Sequence, residues 1–386
     1  MSFTLNIIRS HILKVITASI FLCLSVENRA GGQEMITPER WTDALNYVKP
    51  LFRQDTLTIR VIGDVMMHSD QIRNARRNGS EYDFSSYFSR IGDKIREADL
   101  SIANLEFTLA GEPYTGYPCF SAPDTLATHL AECGFDIFLA ANNHIFDKGT
   151  KGSERTVGIY RRLEESHGIR FTGIAGDKEE IKRNNPLIIR AKGIRIALFN
   201  FTYGTNLGLG SSWPETNYIR ERGKISDAIA AAEDNDADYM IALPHWGAEY
   251  SLKHSQEQED FAGWLSEMGV DFIIGSHPHV IQDSGTINGV PVAYSLGNAV
   301  SNMSAPNTQM GLMATIRIVR QNNGDLLTLP LELEYMWCSR PGGYNESYTV
   351  LPAAEYMTRR EEWQNKADYD KMAATYERIR KETGIE

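Results

Sequence analysis

Two of the chain's nine histidines, His277 and His279, flank a proline in the segment GSHPHVIQ, directly after the apolar run DFIIG. The run reads as a buried strand. Proline ends its hydrogen bonding and restricts the backbone, so both imidazoles are held in a stiff loop at a sheet end. Two nitrogen donors placed in this way can hold a metal. An HxH pair alone is equally a pair of polar residues in a turn, and donors elsewhere in the chain decide between the two.

Those donors stand at the ends of other apolar runs. VIGD closes on Asp64, SIANLE on Glu106, FLAANNH on Asn143 and His144, and IALPHWGAEY carries His245 with Glu249 after it. Taken singly, each has an ordinary explanation: Asp64 as a helix cap, Asn143 as a turn former, His245 as a hydrogen-bonded core imidazole. The conjunction is harder to explain that way, because strand ends in α/β sheets converge on the crevice where ligands bind. Oxygen and nitrogen donors without a thiolate suit Zn, Mn, Fe, Mg or Ni. Glu106 can bridge two divalent ions, with Asp64 and one histidine completing the first site and Asn143, His245 and the other histidine the second. Such a pair lowers the pKa of a shared water and clamps a tetrahedral transition state, which is hydrolytic chemistry. His144 then stands beside the metals as a general acid.

Further positions are expected to meet substrate: His68, Arg73, Glu249 and Asn298. Arg73, Arg76 and Arg77 share a helical spacing that suits either a bound anion or a solvated helix face. Trp246 and Tyr250 flank His245 and are expected either to wall a pocket or to join the core.

The elements that must position these groups alternate along the chain. TLTIRVIGDVMM, DLSIANLE, DIFLAANNH, DYMIALPHW and DFIIGSHPH read as strands. FSSYFSRIGDKIREAD, TLATHLAECG, the segment from Gly149 to His167, ISDAIAAAEDN and Gln256 to about Met268 have helical periodicity. PLIIRAKGIRIALFNFT and GLMATIRIVRQNNGDLLTLPLELEYM read as hairpins. This is an α/β sheet with crossover helices and added antiparallel pairs. The expected domain spans residues 57–320, followed by a hairpin and charged helical extension over 321–386.

The net charge of −11, from 50 acidic and 39 basic side chains, excludes a general nucleic-acid binder, which needs a basic surface. An anionic polymer or phosphoester substrate would find its positive charge on bound metal. At the N-terminus, Arg9 and Lys14 precede the apolar stretch Val15 to Val26, and small residues follow at Ala30 and Gly31. Residues 1–30 therefore read as an export signal or N-terminal anchor, and 31–56 as a helical extension. The expected location is periplasmic or at the cell surface. Cys23, Cys119, Cys133 and Cys338 have no CxxC spacing, which excludes a zinc ribbon; Cys119 and Cys133 could pair in an oxidising compartment.

Taken in order, GDVMM (63–67), NLE (104–106), ANNHIFDKG (141–149), LPHWGAEY (243–250), GSHPHVIQ (275–282) and SLGN (295–298) resemble the CapA, or PgsA-like, capsule and poly-γ-glutamate synthesis family. That family lies within the calcineurin-like metallophosphoesterase superfamily. The resemblance implies a four-layer α/β/β/α sandwich with two divalent metal ions at strand ends. It implies Asp64, Glu106 and His279 on one ion, and Glu106, Asn143, His245 and His277 on the other, with His144 in the place of the catalytic histidine. The chain departs from the superfamily pattern at Met66, where Asp-x-His has its histidine, and at Glu106, which replaces an aspartate. The first ion is accordingly expected to be weakly held, to recruit His68, or to be absent.

Two functions are consistent with this sequence. One is a metal-dependent hydrolase or transferase acting on a phosphoester or γ-glutamyl-type bond. The other is a non-catalytic accessory or polymer-binding subunit of a membrane synthesis or export complex. No GxxxxGK[ST] segment is present, so the chain is not itself an ATP-driven ligase of that type.

Overall fold

Runs rich in Val, Ile and Leu between turn formers become the strands of two sheets. A computed structural model describes residues 56–386 apart from 80, 210, 211 and 322. The expected signal over 1–30 and the extension that follows it lie, Thr56 excepted, outside the described residues. Five strands carry the functional residues and are labelled here in chain order: β1 (Thr56–Val65), β2 (Leu100–Leu105), β3 (Ile137–Leu139), β4 (Tyr239–His245) and β5 (Phe272–Ile274).

In the first sheet β1, β2 and β3 run parallel, with Arg170–Thr172 beyond β3. On its other side β1 pairs antiparallel with Met310–Arg320, and Glu332–Ser339 and Thr349–Pro352 extend the sheet outward. In the second sheet β4 lies in parallel between Ile194–Thr202 and β5. Leu187–Ala191 pairs with Ile194–Thr202 through the expected hairpin, whose turn uses Lys192 and Gly193 at positive φ.

Alternate strand residues face opposite layers. Leu57, Ile59 and Val61 of β1 meet Ile241 and Leu243 of β4 between the two sheets. On the outer face of the first sheet, Val65 and Leu105 pack with Leu126 and Leu130 of the helix Asp124–Cys133 and with Tyr160 of Gly149–His167. On the outer face of the second, Ala242 and Ile273 pack with Ile225 and Ile229 of Arg222–Asp234 and with Phe261 and Leu265 of Gln256–Glu267. Helices therefore cover both sheets, and the architecture is the α/β/β/α sandwich.

Three local expectations are revised. The division at residue 320 falls inside a hairpin, because Met310–Arg320 pairs with Leu326–Thr328. The later residues belong to the same unit: the charged C-terminal helix Lys366–Thr383 buries Met372 and Ile379 in the layer between the sheets. FSSYFSRIGDKIREAD is helical only over Gly92–Glu97, since the residues before it turn to bury Phe84, Tyr87 and Phe88. Cys119 and Cys133 are free thiols rather than a pair, as is Cys338.

Close backbone approach fixes where β1 ends. The Asp64 N–H donates to the Gly297 carbonyl at 2.9 Å, and a Cβ on Gly63 would lie 1.9 Å from that same oxygen. Gly63→Ala is therefore expected to destabilise the fold towards the upper end of roughly 1–3 kcal/mol. The check is the denaturant midpoint, and an unchanged midpoint would contradict this account of the strand end.

Candidate metal centre

The carboxyl ends of all five labelled strands converge. β1 delivers Asp64, the residue after β2 is Glu106, β4 closes on His245, and His277 and His279 follow β5. The loop after β3 is clamped between the sheets by Asn200. Its side-chain oxygen accepts from the Ala140 and Ala141 N–H groups at 3.1 and 2.7 Å, and its amide donates to the Leu243 carbonyl at 2.8 Å. Asn142 donates to the Leu105 carbonyl at 2.9 Å and accepts from the His144 N–H at 3.1 Å, which sets Asn143 and His144 facing the crevice.

The HxH loop is held in strained backbone. His277 and His279 have φ of 100° and 59°, a region where a non-glycine residue costs on the order of 1–3 kcal/mol. Two hydrogen bonds hold it there: the His277 N–H donates to Asp64 Oδ2 at 3.2 Å, and the Tyr250 N–H to the Pro278 carbonyl at 2.8 Å.

Two donor groups result, Asp64 with Glu106 and His279, and Glu106 with His245 and His277; within each, the donor atoms lie within 4.8 Å of one another. Glu106 is common to both. Its Oε1 is 3.6 Å from His245 Nε2 and 3.8 Å from His279 Nε2. Asn143 Oδ1 lies 2.8 Å from His245 Nε2, adding a fourth donor to the second group.

The polar bookkeeping of this cluster fits a cation. Both Glu106 oxygens and His277 Nδ1 are buried without a hydrogen-bond partner. A buried carboxylate with no partner is expensive, and a metal ion is the partner that satisfies carboxylate and imidazole together. The far nitrogens of the other two imidazoles are engaged: His245 Nδ1 lies 3.0 Å from Ser276 Oγ and His279 Nδ1 lies 3.1 Å from Asn298 Oδ1. With those nitrogens engaged, Nε2 is the atom each imidazole presents to the centre.

Burial holds the His277 imidazole well below its ordinary pKa, helped by the neighbouring imidazoles His245 and His279, so it stays neutral and ready to ligate. For His279 burial also works against charge, but Glu106 and Asp64 outweigh it and push the pKa up to about 9. Burial raises the Asp64 carboxyl, while its bond with His279 and the charges of His245 and His279 lower it further than burial lifts it.

His144 stands at the edge of the cluster, its Nε2 4.0 Å from Glu106 Oε1. Its Nδ1 donates to Asp147 Oδ2 at 2.7 Å, and the same carboxylate oxygen accepts from the Phe120 N–H at 2.7 Å. The Phe120 ring packs edge-on to the imidazole with centroids 4.6 Å apart. Such a dyad fixes the tautomer and turns Nε2 towards Glu106 and the two donor groups.

Residues 58–303 match the family model described as bacterial capsule synthesis protein PGA_cap. The chain belongs to that family. The PGA_cap segment runs from β1 past the SLGN turn and contains every residue of both donor groups. The capsule biosynthesis protein CapA of Bacillus anthracis is 25% identical over 76% of this chain and 72% of its own length. The PGA biosynthesis protein CapA of Bacillus subtilis strain 168 is 23% identical over 73% of each. A probable polyglutamine synthesis accessory protein of Mycobacterium tuberculosis is 23% identical over 63% of this chain and 68% of its own.

Among solved structures, a 5'-nucleotidase precursor from Thermus thermophilus aligns at a TM-score of 0.44 and 11% identity over 84% of this chain, which spans 59% of that protein's length. The NAD nucleotidase of Haemophilus influenzae aligns at 0.42 and 15% identity, over 84% of this chain and 67% of its own.

Within this PGA_cap chain the remaining predicted positions have different fates. His68 Nδ1 is engaged at the start of the helix Ser69–Ala75, 3.1 Å from Gln71 Oε1 and 3.3 Å from the Asn302 N–H, and His68 joins neither donor group. Arg73 is exposed and ion-paired with Asp70 on the same helix. Glu249 is exposed beside Tyr250 at the crevice mouth. Asn298 is buried behind His279, where it orients the imidazole; it was expected to face substrate, but its oxygen is committed to that ring and its amide to Ser301 Oγ and the Thr308 carbonyl. Trp246 belongs to the outer core of the second sheet, whereas Tyr250 is exposed.

Two polar groups escaped the sequence reading. Asn104 donates to Asp64 Oδ1 at 2.7 Å and lies 3.3 Å from His245 Nδ1, tying the two sheets together at the centre. Its signal was strand alternation, which puts it on the same face as Glu106. Asp147 was readable as the acidic partner three residues after His144 in ANNHIFDKG.

Proposed function

We propose that this chain is an extracytoplasmic metal-dependent hydrolase or transferase of capsule or poly-γ-glutamate biosynthesis, cleaving or transferring a phosphoester or γ-glutamyl-type bond at a two-metal centre. The observation that carries this reading is Glu106: a buried carboxylate with neither oxygen hydrogen-bonded, common to two groups of metal donors. Asp64, Glu106 and His279 would hold one ion, and Glu106, Asn143, His245 and His277 the other. Divalent ions held there would lower the pKa of a water and offset negative charge in the transition state.

The chain's own residues do the rest. Asp147 retains the Nδ1 proton of His144 and stabilises the imidazolium, so that Nε2 can hand a proton to the leaving oxygen or nitrogen. Ser276 and Asn298 keep His245 and His279 in the ligating tautomer. The location outside the cytoplasm rests on Arg9, Lys14 and the apolar stretch after them. The place in polymer synthesis rests on the family and on the roles that the Bacillus proteins are named for. An anionic polymer or a phosphoester is the matching substrate.

A second reading has its own support. Met66 stands where a further histidine ligand would be, and the Mycobacterium relative is named an accessory protein. On that reading the chain is a polymer-binding subunit of a membrane synthesis or export complex, and its metals are structural. A screen of phosphomonoesters, phosphodiesters and γ-glutamyl amides with added Mn or Zn separates the two. Metal-dependent turnover in any class supports the hydrolase, and none across all three supports the accessory subunit.

The two ions are expected to differ in affinity. The Asp64 oxygens already accept from Asn104 and from the His277 N–H, and this group has three protein donors against four in the other. Titrating the loaded chain with a chelator should release one ion well before the second, and His279→Ala should lose only the early one. Simultaneous release would contradict the asymmetry.

A further inference from the structure

Among the described residues, four large apolar side chains stand exposed, and three are tyrosines: Tyr117 at 75%, Tyr203 at 45% and Tyr250 at 45%. All three lie over the metal centre, on different loops. Tyr203 packs on His277 with ring centroids 4.5 Å apart, and Tyr250 leans over His279 at 6.4 Å. Tyr117 packs on Phe120 at 6.4 Å, and Phe120 in turn covers His144 at 4.6 Å. One phenol ring thus stands on the solvent side of each of the two HxH imidazoles and, through Phe120, of the acid.

Two of these rings are held in place by their backbone. The Tyr203 N–H donates to the His245 carbonyl at 2.9 Å. Tyr250 keeps φ at 66°, strained for a tyrosine, and is anchored through its N–H to the HxH loop. Exposed apolar rings around a polar centre, one of them on strained backbone, need a reason, since burial does not reward them.

The charge around them narrows the ligand. The charged groups that bear on Tyr203 and Tyr250 are the carboxylates Glu106 and Glu249. Glu249 is exposed at the same mouth. Electron-rich ring faces beside the exposed Glu249 carboxylate attract an alkylammonium, while the anionic part of a substrate would go to the metals.

We propose that Tyr117, Tyr203, Tyr250 and Glu249 form a rim that receives an alkylammonium group of the substrate next to the bond presented to the metal centre. This deepens the proposed hydrolase and rests on that reading for the bond beneath the rim, but not for the rim's own ligand. Two sources carry such a group: the free α-amine ending a γ-glutamyl chain, and the amine of an aminoalkyl phosphate ester.

The test is binding of choline against its uncharged carbon isostere 3,3-dimethylbutan-1-ol to the full chain, followed by ligand-observed NMR. Choline is expected to bind roughly 2- to 30-fold tighter, and the preference to fall towards parity in Glu249→Gln and Tyr250→Ala. Equal binding, or a preference that both substitutions leave intact, overturns the rim. Two further pairs identify the source in the metal-loaded chain: γ-glutamylglutamate with free or acetylated α-amine, and phosphocholine against 3,3-dimethylbutyl phosphate. Discrimination in one pair assigns it, and discrimination in neither overturns the placement beside the metals. Choline preference without turnover of any ester or amide retains the rim and removes the hydrolase.

Discussion

His144→Ala is expected to lower kcat by roughly 10²- to 10⁴-fold while leaving the metal content of the purified chain unchanged. The division follows from position. His144 is in neither donor group, and its Nδ1 is spent on Asp147. What the substitution removes is a proton donor at Nε2, 4.0 Å from the shared carboxylate. Asp147→Asn should reproduce part of the loss, because an amide no longer fixes the imidazole tautomer or stabilises the imidazolium. The measurement is turnover on whichever substrate class the screen identifies, paired with elemental analysis of the same preparation. A loss of metal in His144→Ala equal to that in His245→Ala would end the assignment of His144 to proton transfer.

Glu106→Gln is the second large effect, and it falls on the metals themselves. The substitution keeps volume and removes the one charge common to both donor groups, so both ions should be lost together. Stability should respond mainly in the metal-loaded state. Without metal the Glu106 carboxylate has no hydrogen-bond partner, but it faces the His245 and His279 imidazoles at 3.6 and 3.8 Å and the charge on His279 compensates it, so the neutral amide should change stability little. With metal at a hundred times its Kd, the wild type should gain roughly 2.7 kcal/mol, since the ion binds the folded chain alone. Thermal melts with and without added Zn or Mn check this. The wild type should shift upward and Glu106→Gln should not; an equal shift in both would show that ions bind elsewhere.

Much of this centre was legible because strand ends are legible. Apolar runs that finish in Asp64, Glu106, Asn143, His245 and the HxH pair announce both the elements and the donors. The hairpin at Lys192-Gly193 was equally plain, since a glycine between two β-rich runs marks the turn. Residue types alone did not divide His277 from His279 between the two donor groups. Two imidazoles two residues apart are ordered by a backbone that turns at φ 100° and 59°, and nothing in the letters HPH specifies that. Asn298 was expected to meet substrate, yet its side-chain oxygen is drawn inward to hold a ring from another loop, which the letters SLGN do not specify. The boundary after residue 320 was misplaced although the hairpin over GLMATIRIVRQNNGDLLTLPLELEYM was legible: the cut fell between strands that pair, Met310–Arg320 with Leu326–Thr328 and Glu332–Ser339.

Elemental analysis of the full chain, purified without chelators, bears most directly on the paired donor groups. The account predicts about two divalent ions per wild-type chain and a loss of both in Glu106→Gln. A wild-type chain that carries no divalent ion even after loading with Zn or Mn, or one whose content is unchanged by Glu106→Gln, would contradict it.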